Sequence, residues 1–167
     1  ILFIPKGKIL AQYHQYYGMK KAINSVINAV DNDGRAGVVW HTQGSGKSFS
    51  MTFLAGNLIK DKRLESPTIL VITDRNDLDD QLYSTFCSAS EFLRQEPIKC
   101  DSRADVKQIL EGRKTGGVVF STIQKFEEET GLLSDRKNII VMVDEAHRTQ
   151  YNLDGKLDIN TGEIKYG

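Results

Sequence analysis

The chain lacks the signatures of several large protein classes. It has two cysteines, Cys87 and Cys100, thirteen positions apart and at no metal-binding or CxxC spacing. One disulfide could join them, but two buried free thiols in a reducing cytosol are the expected state. The three histidines, His14, His41 and His147, do not combine with the cysteines at ligand spacing, so a metal centre built from protein ligands alone is not expected. The longest unbroken apolar run is Ile139 to Val143, far short of the roughly 20 residues that cross a bilayer, and no membrane partner is expected. The opening Ile1-Leu-Phe-Ile-Pro5 lacks the charged start and long apolar stretch of a signal peptide. Charge of one sign is also missing. The 22 Lys+Arg balance 22 Asp+Glu, which removes the broad basic footprint of a nucleic-acid-binding domain. Only three prolines interrupt the chain, and no repeat or low-complexity segment is visible.

What remains is ordinary globular composition. The 167 residues are 40% hydrophobic and 26% charged. That length suits one domain burying roughly 70% of its unfolded surface. From Tyr13 to Val30 the apolar positions Met19, Ala22, Ile23, Val26, Ile27 and Val30 recur at three- and four-residue steps, which predicts an amphipathic helix. The turn-like Asp31-Asn-Asp-Gly34 closes it. Gly37-Val-Val-Trp40 reads as a short buried strand, and Lys47 to Lys60 returns to helical spacing. Thr68–Thr73 is a strand behind Pro67, Asp77–Phe86 a helix, and Ser102 the N-cap of another helix ended by Gly116-Gly117. Val118–Phe120 and Asn138–Val143 are the third and fourth strands. Aliphatic strands separated by helices predict an α/β fold, a parallel sheet covered on both faces. In the last stretch Leu157, Ile159, Ile164 and Tyr166 alternate with polar residues around Asn160-Thr-Gly162, which predicts a β-hairpin over 156–167.

Chemistry enters with His41-Thr-Gln-Gly-Ser-Gly-Lys-Ser48, placed between a predicted strand and a helix. Gly44 and Gly46 free the backbone to turn its N–H groups onto phosphate oxygens, and the helix N-terminus adds partial positive charge. Thr42, Gln43 and Ser45 complete the loop. Lys47 would reach the β- and γ-phosphates of a nucleotide and Ser48 would ligate Mg²⁺. His41 stands where this pattern usually has Gly or Ala, and a plain Gly/Ser-rich turn is the alternative. The second constellation is Asp144-Glu145-Ala-His147-Arg148, at the C-terminal end of the most apolar strand, where open α/β sheets bind ligands. Asp144 would hold the Mg²⁺ through water, and Glu145 would orient and deprotonate the water attacking the γ-phosphate. Either acid alone could be a helix cap. Both acids and a phosphate loop together predict ATP or GTP hydrolysis.

The two segments resemble motifs I and II of superfamily 2 helicase-like ATPases. With His14-Gln15-Tyr16-Tyr17, Thr73-Asp-Arg-Asn-Asp-Leu-Asp-Asp-Gln81, Ser121-Thr-Ile-Gln-Lys-Phe126 and Arg148-Thr-Gln-Tyr151, the set is similar to the motor (R) subunit of type I restriction–modification enzymes. The resemblance implies a partial RecA-like ATPase lobe over 13–167, with 1–12 linking it to a nuclease domain upstream. It further implies a prokaryotic, cytoplasmic enzyme that uses ATP and Mg²⁺ to translocate double-stranded DNA before cleavage, in complex with methylation and specificity subunits. Another superfamily 2 helicase or translocase, or a non-catalytic nucleotide-binding module, is the alternative. Gln15 matches the family's adenine-reading glutamine, against a solvent-facing Gln at a helix start. Tyr16 or Tyr17 packs near the base or in the core. Arg75 and Asn76, and then Thr122, Gln124 and Lys125, match segments that meet DNA phosphates, although polar residues are common after strands. His147 would couple the nucleotide site to a second lobe, while Arg148 could as easily make a surface salt bridge. Glu163-Ile-Lys165 mimics half of a nuclease signature but reads as hairpin surface. In RecA-like lobes the strand after motif II inserts between the strands of motifs I and II. It would lie beyond Gly167, so a gap or a shifted sheet is expected there.

Overall fold

The computed structural model describes residues 1–40, 42, 44–73, 76–126, 132–144, 156–157 and 164–165; of 76–80, 124–125, 156–157 and 164–165 it describes the backbone alone. A short antiparallel hairpin comes first, β1 (Leu2–Ile4) and β2 (Gly7–Ile9). The helices are α1 (Tyr13–Val30), α2 (Lys47–Lys60), α3 (Asn76–Cys87), α4 (Ser90–Leu93) and α5 (Arg103–Gly112). The main sheet contains β3 (Thr68–Thr73), β4 (Ile98–Lys99), β5 (Val118–Thr122) and β6 (Ile139–Val143). A second antiparallel pair, β7 (Lys156–Leu157) and β8 (Ile164–Lys165), lies within the hairpin expected over 156–167.

The four main strands are all parallel, in the order β4-β5-β3-β6. The chain leaves β3, passes over β5 to β4 through α3 and α4, then returns to β5 through α5. Right-handed crossovers in opposite directions put their helices on opposite faces. One layer accordingly packs Val26, Ala55, Leu58, Leu82, Phe86 and Leu93 onto Ile69, Val71, Val118 and Phe120. The other packs Val106 and Leu110 onto Leu70 and Val119. Phe120 is fully buried and meets Tyr83 and Phe86 edge-on, at centroid distances of 5.2 and 5.1 Å. Such pairs add roughly 0.5–1.5 kcal/mol each beyond their burial. The amino-terminal hairpin is docked too: Leu2 is buried with Phe53 and Ala89.

Local signals explain the helix limits. Ser102 accepts from Asp105 N–H at 3.1 Å while the Asp105 carboxylate accepts from Ser102 N–H at 2.9 Å, a reciprocal cap at the start of α5. Cys87 and Cys100 are not joined in a disulfide; Cys100 is buried as expected, whereas Cys87 is only half-buried.

One expected strand does not form. Gly37–Trp40 has no ladder partner among the described residues, and Val38, Val39 and Trp40 are 84, 54 and 82% exposed. The backbone turns at Gly37 with φ +113°, outside strand geometry, and Ser25 Oγ donates to Ala36 O just before it. An apolar run becomes a strand only when a neighbouring edge supplies its hydrogen bonds. Among the described residues β6 pairs with β3 alone, and Val141 and Val143 are exposed along it. The fourth strand of the sheet is instead β4, two residues long. Among the described residues no helix is long and apolar enough to cross a membrane.

Candidate nucleotide site

The loop between Thr42 and α2 is built by its glycines. Gly44 and Gly46 have φ of +78° and +77°, the left-handed region that side chains disfavour. Gly46 caps α2, whose first turn contains no acidic residue, so its N-terminal dipole is left for an anion. Inside the loop, Ser45 donates twice to Thr42 O, from N–H at 3.2 Å and from Oγ at 2.6 Å. Ser50 N–H closes the first helical bond on Gly46 O at 3.0 Å. Thr52, fully buried, donates to Ser48 O at 2.9 Å and fixes that turn.

Gln15 crosses from α1 to this loop. It is 7% exposed, and its Nε2 donates to Ser45 O at 3.3 Å and Gly46 O at 3.2 Å. Its Oε1 accepts from Gln12 N–H at 2.9 Å. Of the two readings of this residue, the solvent-facing one is therefore excluded. Gly46 has a second reason to be glycine: a Cβ there would lie 2.8 Å from Gln15 Nε2. Tyr13, Tyr16 and Tyr17 flank Gln15 on the outside of α1 and are largely exposed, so none is a core residue. Tyr17 sits 4.4 Å from Tyr13 and 5.3 Å from Tyr16 between ring centroids, with Lys20 Nζ 5.3 Å above Tyr16.

The two predicted motifs meet. Lys47 Nζ lies 2.8 Å from Asp144 Oδ1, with the side chains 37 and 15% exposed. Asp144 is anchored as β6 ends, its N–H donating to Ile72 O at 2.8 Å. Ser48, next to Lys47 on the first turn of α2, is half-buried. Ser48, a helix-start hydroxyl beside Lys47, and Asp144, a strand-end carboxylate, are the kind of hard oxygen donor that Mg²⁺ prefers. The residues present fit that ion.

The remaining predicted positions are less informative. Glu145, His147, Arg148, Gln43 and Arg75 lie outside the described residues. Asn76, Gln124 and Lys125 are described in backbone only, at the starts of α3 and of the 3₁₀ turn Ile123–Phe126. Thr122 is buried at the end of β5. Two hydroxyls escaped the sequence reading. Thr73 Oγ1 and Ser121 Oγ are buried with no hydrogen-bond partner among the described residues. A Thr or Ser in a strand gives no signal for this, because burial of its hydroxyl depends on the helices above.

The chain is similar in sequence to known proteins. A family model for the SWI2/SNF2 ATPase matches residues 14–162. The chain is 51% identical to the type I restriction enzyme HindI endonuclease subunit of Haemophilus influenzae, over 96% of this chain and 16% of that one. It is 41% identical to a Methanocaldococcus jannaschii protein named as the type I restriction enzyme MjaIXP endonuclease subunit, over 87% of this chain and 14% of that one. The chain thus spans about one sixth of the first relative and less of the second. No solved structure matches it. With its phosphate loop joined to the acidic strand end and a family match over most of its length, the chain belongs to the SWI2/SNF2 ATPase family.

Proposed function

We propose that the chain is the ATP-binding and hydrolysing lobe of a type I restriction enzyme subunit. The reaction is ATP and water to ADP and phosphate, coupled in the whole enzyme to translocation of double-stranded DNA. The observation that carries this reading is the 2.8 Å contact of Lys47 with Asp144, which closes phosphate loop and acidic strand end into one site. Similarity to restriction endonuclease subunits supports the choice of enzyme, and methylation and specificity subunits are the partners that follow.

In this reading the loop N–H groups and the start of α2 receive the phosphates. Lys47 turns from Asp144 to the β- and γ-phosphates. Ser48 and, through water, Asp144 would hold Mg²⁺, which when bound would supply positive charge to the phosphates. Glu145 orients the attacking water and takes its proton. Gln15 reads adenine, donating to N7 and accepting from N6. Its amide is engaged with Ser45, Gly46 and Gln12 in this structure. Base recognition therefore requires that it let go of the loop, which ties the two halves of the nucleotide site together. Arg75, Gln124 and Lys125 would meet the DNA backbone, few and local contacts in keeping with zero net charge, whereas Thr122, expected to join them, is buried and cannot. His147 would relay nucleotide state to a second lobe.

The test is phosphate release with and without double-stranded DNA in the complete restriction enzyme subunit, comparing Glu145→Gln with the unchanged protein. The expected result is ATP binding preserved and DNA-stimulated release abolished. Unchanged hydrolysis would remove Glu145 from its role, and absence of ATP binding in the unchanged protein would overturn the reading.

A further inference from the structure

Of the two buried hydroxyls without a partner among the described residues, Thr73 Oγ1 lies beside the candidate nucleotide site. Thr73 is the last residue of β3 and is 3% exposed. Strand alternation puts it on the face of Ile69 and Val71, which pack against Ala55 and Leu58 of α2. On one side it pairs with Thr122. On the other, one step beyond the Ile72–Val143 pair brings it beside Asp144. Neighbouring strands lie about 4.8 Å apart. The Thr73 hydroxyl therefore stands one strand from Asp144, on the side from which Lys47 reaches that carboxylate. Ser121 falls on the opposite face, the one Val119 shares with α5, and does not share this neighbourhood.

Threonine is a costly choice here. Valine has the same branched shape, suits a strand equally, and would leave no buried hydroxyl unsatisfied. A stability cost kept beside a polar site points to use in another state of the protein.

We propose that Thr73 is a positioning residue for Asp144. This rests on the nucleotide-binding reading above, in which Lys47 leaves Asp144 for the phosphates. As Lys47 departs, the Thr73 hydroxyl donates a hydrogen bond to the Asp144 carboxylate and keeps it oriented for the Mg²⁺ that Ser48 and Asp144 would hold. No covalent bond changes and no proton leaves the hydroxyl. Thr73 acts through Asp144 and does not touch the nucleotide.

The experiment compares the unchanged protein with Thr73→Val and Thr73→Ser. It measures the melting temperature without nucleotide, and the binding of a fluorescent ATP analogue across a Mg²⁺ series and in EDTA. Thr73→Val should melt at the same temperature or higher, yet need about tenfold more Mg²⁺ for half-maximal binding, the usual scale for losing a group that orients a metal ligand. Binding in EDTA should not change, and Thr73→Ser should restore the Mg²⁺ dependence. Thr73→Val with the Mg²⁺ dependence of the unchanged protein would overturn the assignment, leaving nucleotide binding intact. Equal loss with Mg²⁺ and in EDTA would also overturn it, by locating the effect in the phosphate loop. An unchanged protein without Mg²⁺-dependent binding would overturn the functional reading itself, and this assignment with it.

Discussion

Gly46→Ala tests the geometry of the phosphate loop most fully. The residue has φ +77° and ψ +38°, a conformation that costs an L side chain roughly 1–2 kcal/mol. The added Cβ would also lie 2.8 Å from Gln15 Nε2, so the amide must withdraw. Withdrawal breaks its bonds to Ser45 O and Gly46 O, each worth about 0.5–1.5 kcal/mol net. Together the substitution should cost about 2–5 kcal/mol. With a urea slope of about 2 kcal/mol/M, that lowers the midpoint by about 1–2.5 M. A double-mutant cycle separates the two parts. In a Gln15→Ala background the clash and the hydrogen bonds are already gone, so Gly46→Ala should cost only the backbone strain, about 1–2 kcal/mol. Equal costs in the two backgrounds would refute the packing of Gln15 against the loop.

Three further outcomes follow from the same reasoning. Ser102→Ala removes the reciprocal cap of α5 and should destabilise the chain by about 1 kcal/mol in urea, with Ser102→Thr retaining most of it. Gly56→Ala drives a methyl into the Phe92 ring, disturbing its edge contact with Phe53 and the Lys60 ammonium above it; a loss of about 1–3 kcal/mol is expected, and unchanged stability would contradict that packing. Phe120→Ala empties the centre of the larger core layer and should cost about 3–5 kcal/mol, measured by the same unfolding curves.

The sequence carried most of the fold because its strongest signals are local. The bounds of α1, α2 and β3 follow the apolar spacing and the glycines around them, and the start of α5 follows its serine cap. Gly37–Trp40 misled because an apolar run states a preference for burial and says nothing of a partner strand. Strand β4 was missed for the opposite reason: two residues carry no period. The same division runs through the site. Gly44, Gly46, Lys47 and Asp144 were legible because a phosphate loop and a carboxylate at a strand end need those residue types. The grip of Gln15 on the loop was not, since it joins residues 30 and 31 positions apart through the packing of α1 on α2. Thr73 was invisible as well, because only the assembled sheet puts it beside Asp144.

The central claim is that Lys47 and Asp144 form one nucleotide site. Calorimetric titration of Mg²⁺·ATP into the protein, beside Lys47→Ala, tests it most directly. One site is expected in the unchanged protein, weakened at least about tenfold by Lys47→Ala through loss of a charge-assisted contact to phosphate. Equal affinity in the two proteins would contradict it.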